Sequence, residues 1–493
     1  MITAVFRDKF YRDVLKNIIL VGVALLLCRV TYGILGWGLL LLGCKAALRG
    51  DYKTTLFCYL FFPLTAVFNP IVCGVTFHLA LAAKVGNIVL ALFLLSTLTS
   101  NDKRLESLPI HWIFVYMFVA AVSSADGWFP MISYLKLLQF FGFISSIMII
   151  AKIIQKSDYG VHELRAVMMA LAVIMTVGSW IVSFVPTIGY SMTIGRMEMY
   201  GMNYTLQEFY ARNGIRQLNG MTRHSQMLAP TVSILATWVL CDVIFVERRF
   251  RLLHSLVLVI TPVLLYMSRS RGGLLTLVVV MCVTMFVCIP NSRLPSDVRT
   301  QFTHIIVALE ILMVLGGGYL EVRDGVFSKW LRKTDDIGGD NRSLMEAVTS
   351  TRMLLIKNNL DDFRQNPLLG KGFQVTPSLK DAYRYKMITW FSAPVEKGVT
   401  PVVILGETGL LGAGVFLVFL VVFYATCMKR KYYALMNLFT CNLVSNLADS
   451  TLFSPAGLGG FLWVVSCIGG FGIDIITLRV NMQERALEYQ LGK

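Results

Sequence analysis

The chain has 493 residues, 56% of them hydrophobic and only 15% charged, with a mean hydropathy of +0.66. Average soluble domains carry about 25% charged residues, so the composition excludes both a soluble globular protein and a disordered one. Lys+Arg 45 against Asp+Glu 29 leaves a net charge of +16, which in such a chain reads as loop charge facing anionic lipid or substrate, not as a nucleic-acid surface.

Apolar runs approaching the length of a bilayer span occur near 15–31, 33–48, 54–69, 71–98, 110–125, 131–153 and 164–187. They continue near 226–246, 252–267, 271–289, 303–320, 400–425, 431–447 and 457–477. An all-α integral membrane protein with 12–14 transmembrane helices is expected. Basic residues precede the first run and no small-residue cleavage site comes after it, so 15–31 reads as an uncleaved first helix. The ten cysteines all lie in or beside apolar runs and form no CxxC pair. Buried apolar thiols are expected, not a disulfide framework or a zinc site.

Lys and Arg fall in alternate short loops: the N-terminus, Arg49 and Lys53, Lys103 and Arg104, Lys152 and Lys156, Arg248 to Arg251, Arg293 and Arg299, and Lys429 to Lys431. The alternate set includes 126–130 and 448–456, which have no basic residue. The positive-inside rule then puts both termini in the cytoplasm and two polar insertions, 188–225 and 321–399, on the outer side. The chain divides into four regions: N-terminal membrane helices over 1–109, a core over 110–320 carrying the 188–225 loop, the large outer loop 321–399, and C-terminal membrane helices with a cytoplasmic tail over 400–493. No internal repeat is evident. Within the large loop, apolar residues spaced through Asn341–Gln365 predict an amphipathic helix, stopped by Asn366-Pro367.

Arginines recur on the side where the rule disfavours them. Arg269 and Arg271 lie in the turn Met267–Gly273, and Arg216 and Arg223 in the first loop, with His224 beside them. Each permits two readings: an anchor at the bilayer interface, or a guanidinium fork for phosphate oxygens. With Arg342, Arg352 and Arg364 in the large loop, three outer clusters in one chain point to an anionic, phosphorylated substrate. His224 alone is as consistent with a structural hydrogen bond as with catalysis.

The order of these motifs carries a resemblance. Ser-Arg-Ser-Arg-Gly-Gly-Leu-Leu (268–275) is followed by Thr351-Arg352, then Asn366-Pro367-Leu368-Leu369-Gly370-Lys371-Gly372, then Glu407-Thr408-Gly409-Leu410-Leu411-Gly412. In that order, over residues 110–475, the chain resembles the bacterial O-antigen ligase and O-antigen polymerase superfamily. The resemblance implies a GT-C-like helical glycosyltransferase of the bacterial inner membrane, with its active site facing the periplasm. The donor it implies is an undecaprenyl-diphosphate-linked oligosaccharide, passed to an acceptor glycan with neither metal nor cofactor; flippase and chain-length regulator proteins are the implied partners. Carried over, Arg271, Arg216 and Arg269 hold the diphosphate and stabilise it as it leaves, with Arg352, Arg223, His224 and Lys397 as further substrate contacts.

One departure stands out. Ligases of this family carry a histidine near the end of the long loop, whereas 321–399 here contains none. The corresponding stretch holds Glu396 and Lys397. Glu396 is either the acceptor-activating base or half of a pair at a helix start. The Glu-Lys-Gly version looks more like O-antigen and exopolysaccharide polymerases than lipid A-core ligases. A ligase for another acceptor is the alternative, and a lipid-linked-glycan flippase is disfavoured by the missing repeat and the large outer loop.

Overall fold

The computed structural model describes residues 8–31, 34–69, 72, 85–86, 88–90, 92–93, 107–155, 158–190, 197–199, 202–204, 217–223, 225–292, 296–297, 299–304, 306–307, 311, 344–375, 398–447, 450–455 and 457–491. The described chain is an α-helical polytopic bundle. Among the described residues six helices are long and apolar enough to cross a membrane, and 35–48, 113–125 and 252–267 are shorter apolar ones.

The first helices are α1 (Lys9–Val30), α2 (Leu35–Leu48) and α3 (Tyr52–Val67). Then come α4 (Ile113–Ala125), α5 (Pro130–Gln155), α6 (Asp158–Val182) and the single turn α7 (Pro186–Gly189). After these are α8 (Ser225–Cys241), α9 (Leu252–Met267) and α10 (Arg271–Val283). The amphipathic helix expected in the large loop is α11 (Leu344–Gln365), and it ends at the predicted stop, Asn366-Pro367. The chain closes with α12 (Thr400–Arg430), α13 (Tyr433–Ser445), α14 (Gly457–Val464) and α15 (Gly470–Leu491). A small antiparallel hairpin, β1 (Met197–Met199) with β2 (Met202–Tyr204), pairs Met197 with Tyr204 and Met199 with Met202 inside the first polar insertion. An all-helical reading of the sequence has no place for it.

Helix direction alternates, so the bundle has two ends. The basic end gathers the starts of α1, α3, α9 and α13. The opposite, motif end gathers the finish of α6 and α9 and the starts of α8, α10 and α12. α8 is buried along its whole length, as a helix apolar on every face must be. Trp238 on it donates its indole N–H to the Gly469 carbonyl at 3.2 Å. α8, α10 and α14 each run into a π-helical turn, at Asp242–Glu247, Thr284–Cys288 and Val465–Gly469. Such a turn adds a residue and rotates the stretch of helix beyond it.

Packing inside the bundle relies on small and hydroxyl residues, as expected where lipid gives no hydrophobic drive between helices. Thr237, Thr261, Thr284 and Thr408 each donate to the carbonyl four residues back, which hides the hydroxyl within its own helix. Asn437 of α13 donates to Thr284 Oγ1 at 2.5 Å. Asp474 of α15 accepts the backbone N–H groups of Ala434 and Leu435 at 3.0 and 2.9 Å. One helix thereby caps the first turn of another. The described cysteines form no disulfide; Cys282 is half-buried and the others are buried.

At the basic end a chain of ion pairs ties four elements together. Arg165 of α6 holds Asp242 through two bonds, 2.6 Å from Nε to Oδ1 and 2.9 Å from Nη2 to Oδ2, and also donates to Glu247. Glu247 accepts from Arg251 at 2.6 Å, and Arg251 reaches Asp8 at 2.6 Å. His254 Nε2 lies 3.0 Å from Asp242 Oδ2. The Arg165 guanidinium also sits 4.3 Å over the Phe10 ring.

Candidate active site at the motif end

Two structures are built at the motif end. The first joins the arginine turn to the close of the first polar insertion. Residues 217–223 fold back across the bundle, and each turn of that path is fixed by backbone bonds. Leu218 donates its N–H to the Met267 carbonyl at 3.1 Å; Asn219 and Gly220 donate to the Gly189 carbonyl at 2.8 and 3.1 Å. Met221 donates to Ser179 Oγ at 3.0 Å, and Arg223 donates to the Val67 carbonyl at 3.2 Å. Gly220 has φ +56°, and a Cβ there would fall 2.5 Å from Ser179 Oγ. Only glycine fits so close a crossing in that conformation. Ser225 closes the segment by donating to Gln217 Oε1 at 2.6 Å.

The arginine turn itself spans Met267 to Arg271. Ser270 is the extended residue before α10, and Arg271 is the first residue of that helix, where the free N–H groups of a first turn and the helix dipole favour an anion. Arg269 has φ +50°, a conformation costly for a side chain with a Cβ. Arg269, Arg271 and Arg223 are all half-buried, and each has one guanidinium nitrogen shut off from solvent. Gly273 lets α10 lie directly on α8: a Cβ there would come within 2.6 Å of Ala229 Cβ, and Ser233 donates to the Gly273 carbonyl at 3.2 Å.

The second structure clasps α11 to α12. The turn after α11 crosses the kink of α12 at Gly409, whose φ of +64° and ψ of −164° are not helical. Lys371 donates its N–H to the Gly406 carbonyl at 3.0 Å, Gly372 to that of Glu407 at 3.0 Å, and Leu410 to that of Pro367 at 2.8 Å. Ser123 of α4 donates to both the Leu369 carbonyl and, at 2.9 Å, the Glu407 carbonyl. Lys371 is buried, bonded to Asp362 at 2.5 Å and lying 3.7 Å over the Trp128 ring. The second half of the clasp is aromatic: Tyr116 stacks on Phe453 at 5.0 Å, with Phe416 5.4 Å from Tyr116.

A short route links the two structures. Thr276 Oγ1 on α10 lies 3.4 Å from Ser445 Oγ at the end of α13, and the next residue, Asn446, accepts the N–H of Thr400 at 3.3 Å. Thr400 is the first residue of α12, four positions after Glu396.

Of the residues singled out from sequence, the fold brings the segments of Arg269, Arg271 and Arg223 together. Arg352 lies on α11. Arg216, His224, Glu396 and Lys397 lie outside the described residues. Sequence reasoning assigns no role to Glu407, which is only 4% exposed in an otherwise apolar run. An acid inside a membrane helix is the signal that could have found it. Among the described residues no three His, Cys, Asp or Glu side chains are grouped to hold a metal ion.

Residues 256–417 match the family model described as O-antigen ligase. That span takes in the arginine turn, α11, the clasp and the beginning of α12. No curated protein matches the chain at the significance required.

Proposed function

We propose, from the match of residues 256–417 to the O-antigen ligase family model, that the protein is a membrane-embedded glycan-transferring enzyme of the O-antigen ligase and polymerase superfamily and, within it, a polysaccharide polymerase. It moves a glycan from an undecaprenyl-diphosphate-linked repeat unit to an acceptor glycan at the periplasmic face of the inner membrane, on a GT-C-like scaffold. The observation that carries this reading is the Leu218–Met267 backbone bond at 3.1 Å. It seats the segment bearing Arg223 on the turn bearing Arg269 and Arg271, at the N-terminus of α10. Guanidinium forks and a helix N-terminus together suit a diphosphate.

In this reading the bond from the sugar's anomeric carbon to the diphosphate oxygen breaks, and a bond from that carbon to an acceptor hydroxyl oxygen forms. Arg271, Arg269 and Arg216 stabilise the departing charge. Glu396 takes the acceptor proton, and the hydrogen-bond route from α10 through Asn446 to Thr400 supports its belonging to the same site. Arg352, Arg223, His224 and Lys397 contribute contacts to the donor or glycan. Charge stabilisation falls to arginine, so chelation leaves turnover intact on this reading. The Glu-Lys-Gly stretch favours polymerisation over ligation.

Purified protein given synthetic lipid-linked repeat units in detergent should release undecaprenyl diphosphate and lengthen the glycan. Arg271→Lys keeps the charge and loses the fork, so turnover should fall about 10²–10³-fold with the protein still folded. Near-normal turnover of Arg271→Lys would reduce Arg271 to an interface anchor. Orientation has its own test. A cysteine at position 378 should react with an impermeant thiol reagent in intact spheroplasts, and protection there would invert the topology.

A further inference from the structure

At the basic end, the far end of α10 from Arg271, a groove of about 600 Å³ opens between the tail of α10 and the helical residues 299–304 and 306–307. Its two walls differ in kind. Phe286, Ile289 and Pro290 supply an apolar wall; Arg299, Thr303 and His304 supply a polar one. The same helical segment is seated in the bundle: Phe302 and Ile306 are buried, and the Phe302 ring lies 5.5 Å from Phe250. The segment is thereby anchored beside the groove. None of the described side chains lining the groove is acidic, while Phe286 is 68% exposed at its apolar edge.

We propose that this groove binds an anionic phospholipid, phosphatidylglycerol in class, from the leaflet at the basic end. The phosphate lies between Arg299 and His304, and one acyl chain runs along Phe286 and Ile289. Thr303 donates its hydroxyl to the Arg299 carbonyl at 2.9 Å, so its oxygen is turned to accept a hydrogen bond from a glycerol headgroup. A zwitterionic choline headgroup offers no such donor and adds a cation beside Arg299. An arginine near an anionic surface contributes on the order of 1 kcal/mol, a preference of about fivefold. The site is some 25 Å along α10 from the arginine turn, at about 1.5 Å rise per residue, and it stands independently of the glycan-transfer reading.

The test is lipid retention by the full-length protein, measured by native mass spectrometry after equilibration with phosphatidylglycerol or phosphatidylcholine. The wild type should retain phosphatidylglycerol about fivefold better, and Arg299→Gln combined with His304→Gln should erase that preference. Both side chains are exposed, so the pair of substitutions leaves the core intact. Phe286→Ser tests the other wall, and should weaken retention without touching a charge. Equal retention of the two lipids by the wild type, or an unchanged preference in the double variant, would overturn the proposal. Displacement of the lipid by millimolar glycerol 3-phosphate would overturn it too, because a bare phosphate site needs no apolar wall.

Discussion

A Cβ built on Gly370 would lie 2.4 Å from the carbonyl carbon of Glu407. The turn after α11 thus rests backbone to backbone on the kinked start of α12. Gly409 returns the relationship, since a Cβ there would fall 2.3 Å from the carbonyl of Leu368. Two glycines from two separate motifs are required by one crossing.

Gly370→Ala should therefore unclasp α11 from α12. Gly370 has φ +70°, so alanine meets both an unfavourable conformation and a backbone overlap, together about 2–5 kcal/mol. Thermal unfolding of the purified protein checks this, with Gly414→Ala as the control. A Cβ at Gly414 meets nothing within 4 Å, and alanine there should stabilise slightly, by up to about 1 kcal/mol. Equal unfolding temperatures for the two variants would contradict the crossing.

Arg269→Gly separates strain from chemistry. The left-handed backbone at φ +50° costs arginine about 1 kcal/mol that glycine does not incur. Unfolding should move to equal or higher temperature while turnover drops. A variant both less stable and fully active would mean that the side chain serves packing alone.

Glu396→Gln keeps the shape of the side chain and removes its basicity. Lipid-linked donor should still bind, and polymerisation should fall about 10²–10⁴-fold. Binding and turnover measured on the same preparation decide it: normal turnover shifts the role of base to His224, and joint loss makes Glu396 a sugar contact.

Asp242→Asn strikes the buried end of the ion-pair chain. Arg165 would keep its burial and lose a bidentate partner, at a cost of about 3–5 kcal/mol. Replacing Arg165 and Asp242 together with apolar residues should cost less than Asp242→Asn alone. A double-mutant cycle on thermal stability reports the difference.

The helices were legible because hydrophobicity marks them directly. The 252–267 run reappears unchanged as α9, and the stop at Asn366-Pro367 coincides with the end of α11. Contacts between distant residues were not legible. Nothing local to Arg165 announces Asp242, 77 residues later, and nothing in Gly-Lys-Gly announces the Glu407 carbonyl above it. The turn at Met267–Arg271 was singled out by arginines that break the basic-loop alternation, a signal visible in the sequence alone. The bond from Leu218 to Met267 spans a stretch of sequence far longer than any local periodicity can register. The hairpin at Met197–Tyr204 escaped because three-residue strands are too short for an alternating pattern to emerge.

The bond between Arg251 and Asp8 joins residues 243 positions apart, and that separation sets a timetable. The first helix enters the membrane early, but its final clamp is not yet synthesised. At roughly 5–20 residues per second, translation takes about 12–50 s to supply Arg251. Through that interval Asp8 waits at the membrane surface without its guanidinium partner, while Phe10 meets Arg165 earlier. The helix is thus made well before the ion pair that locks it.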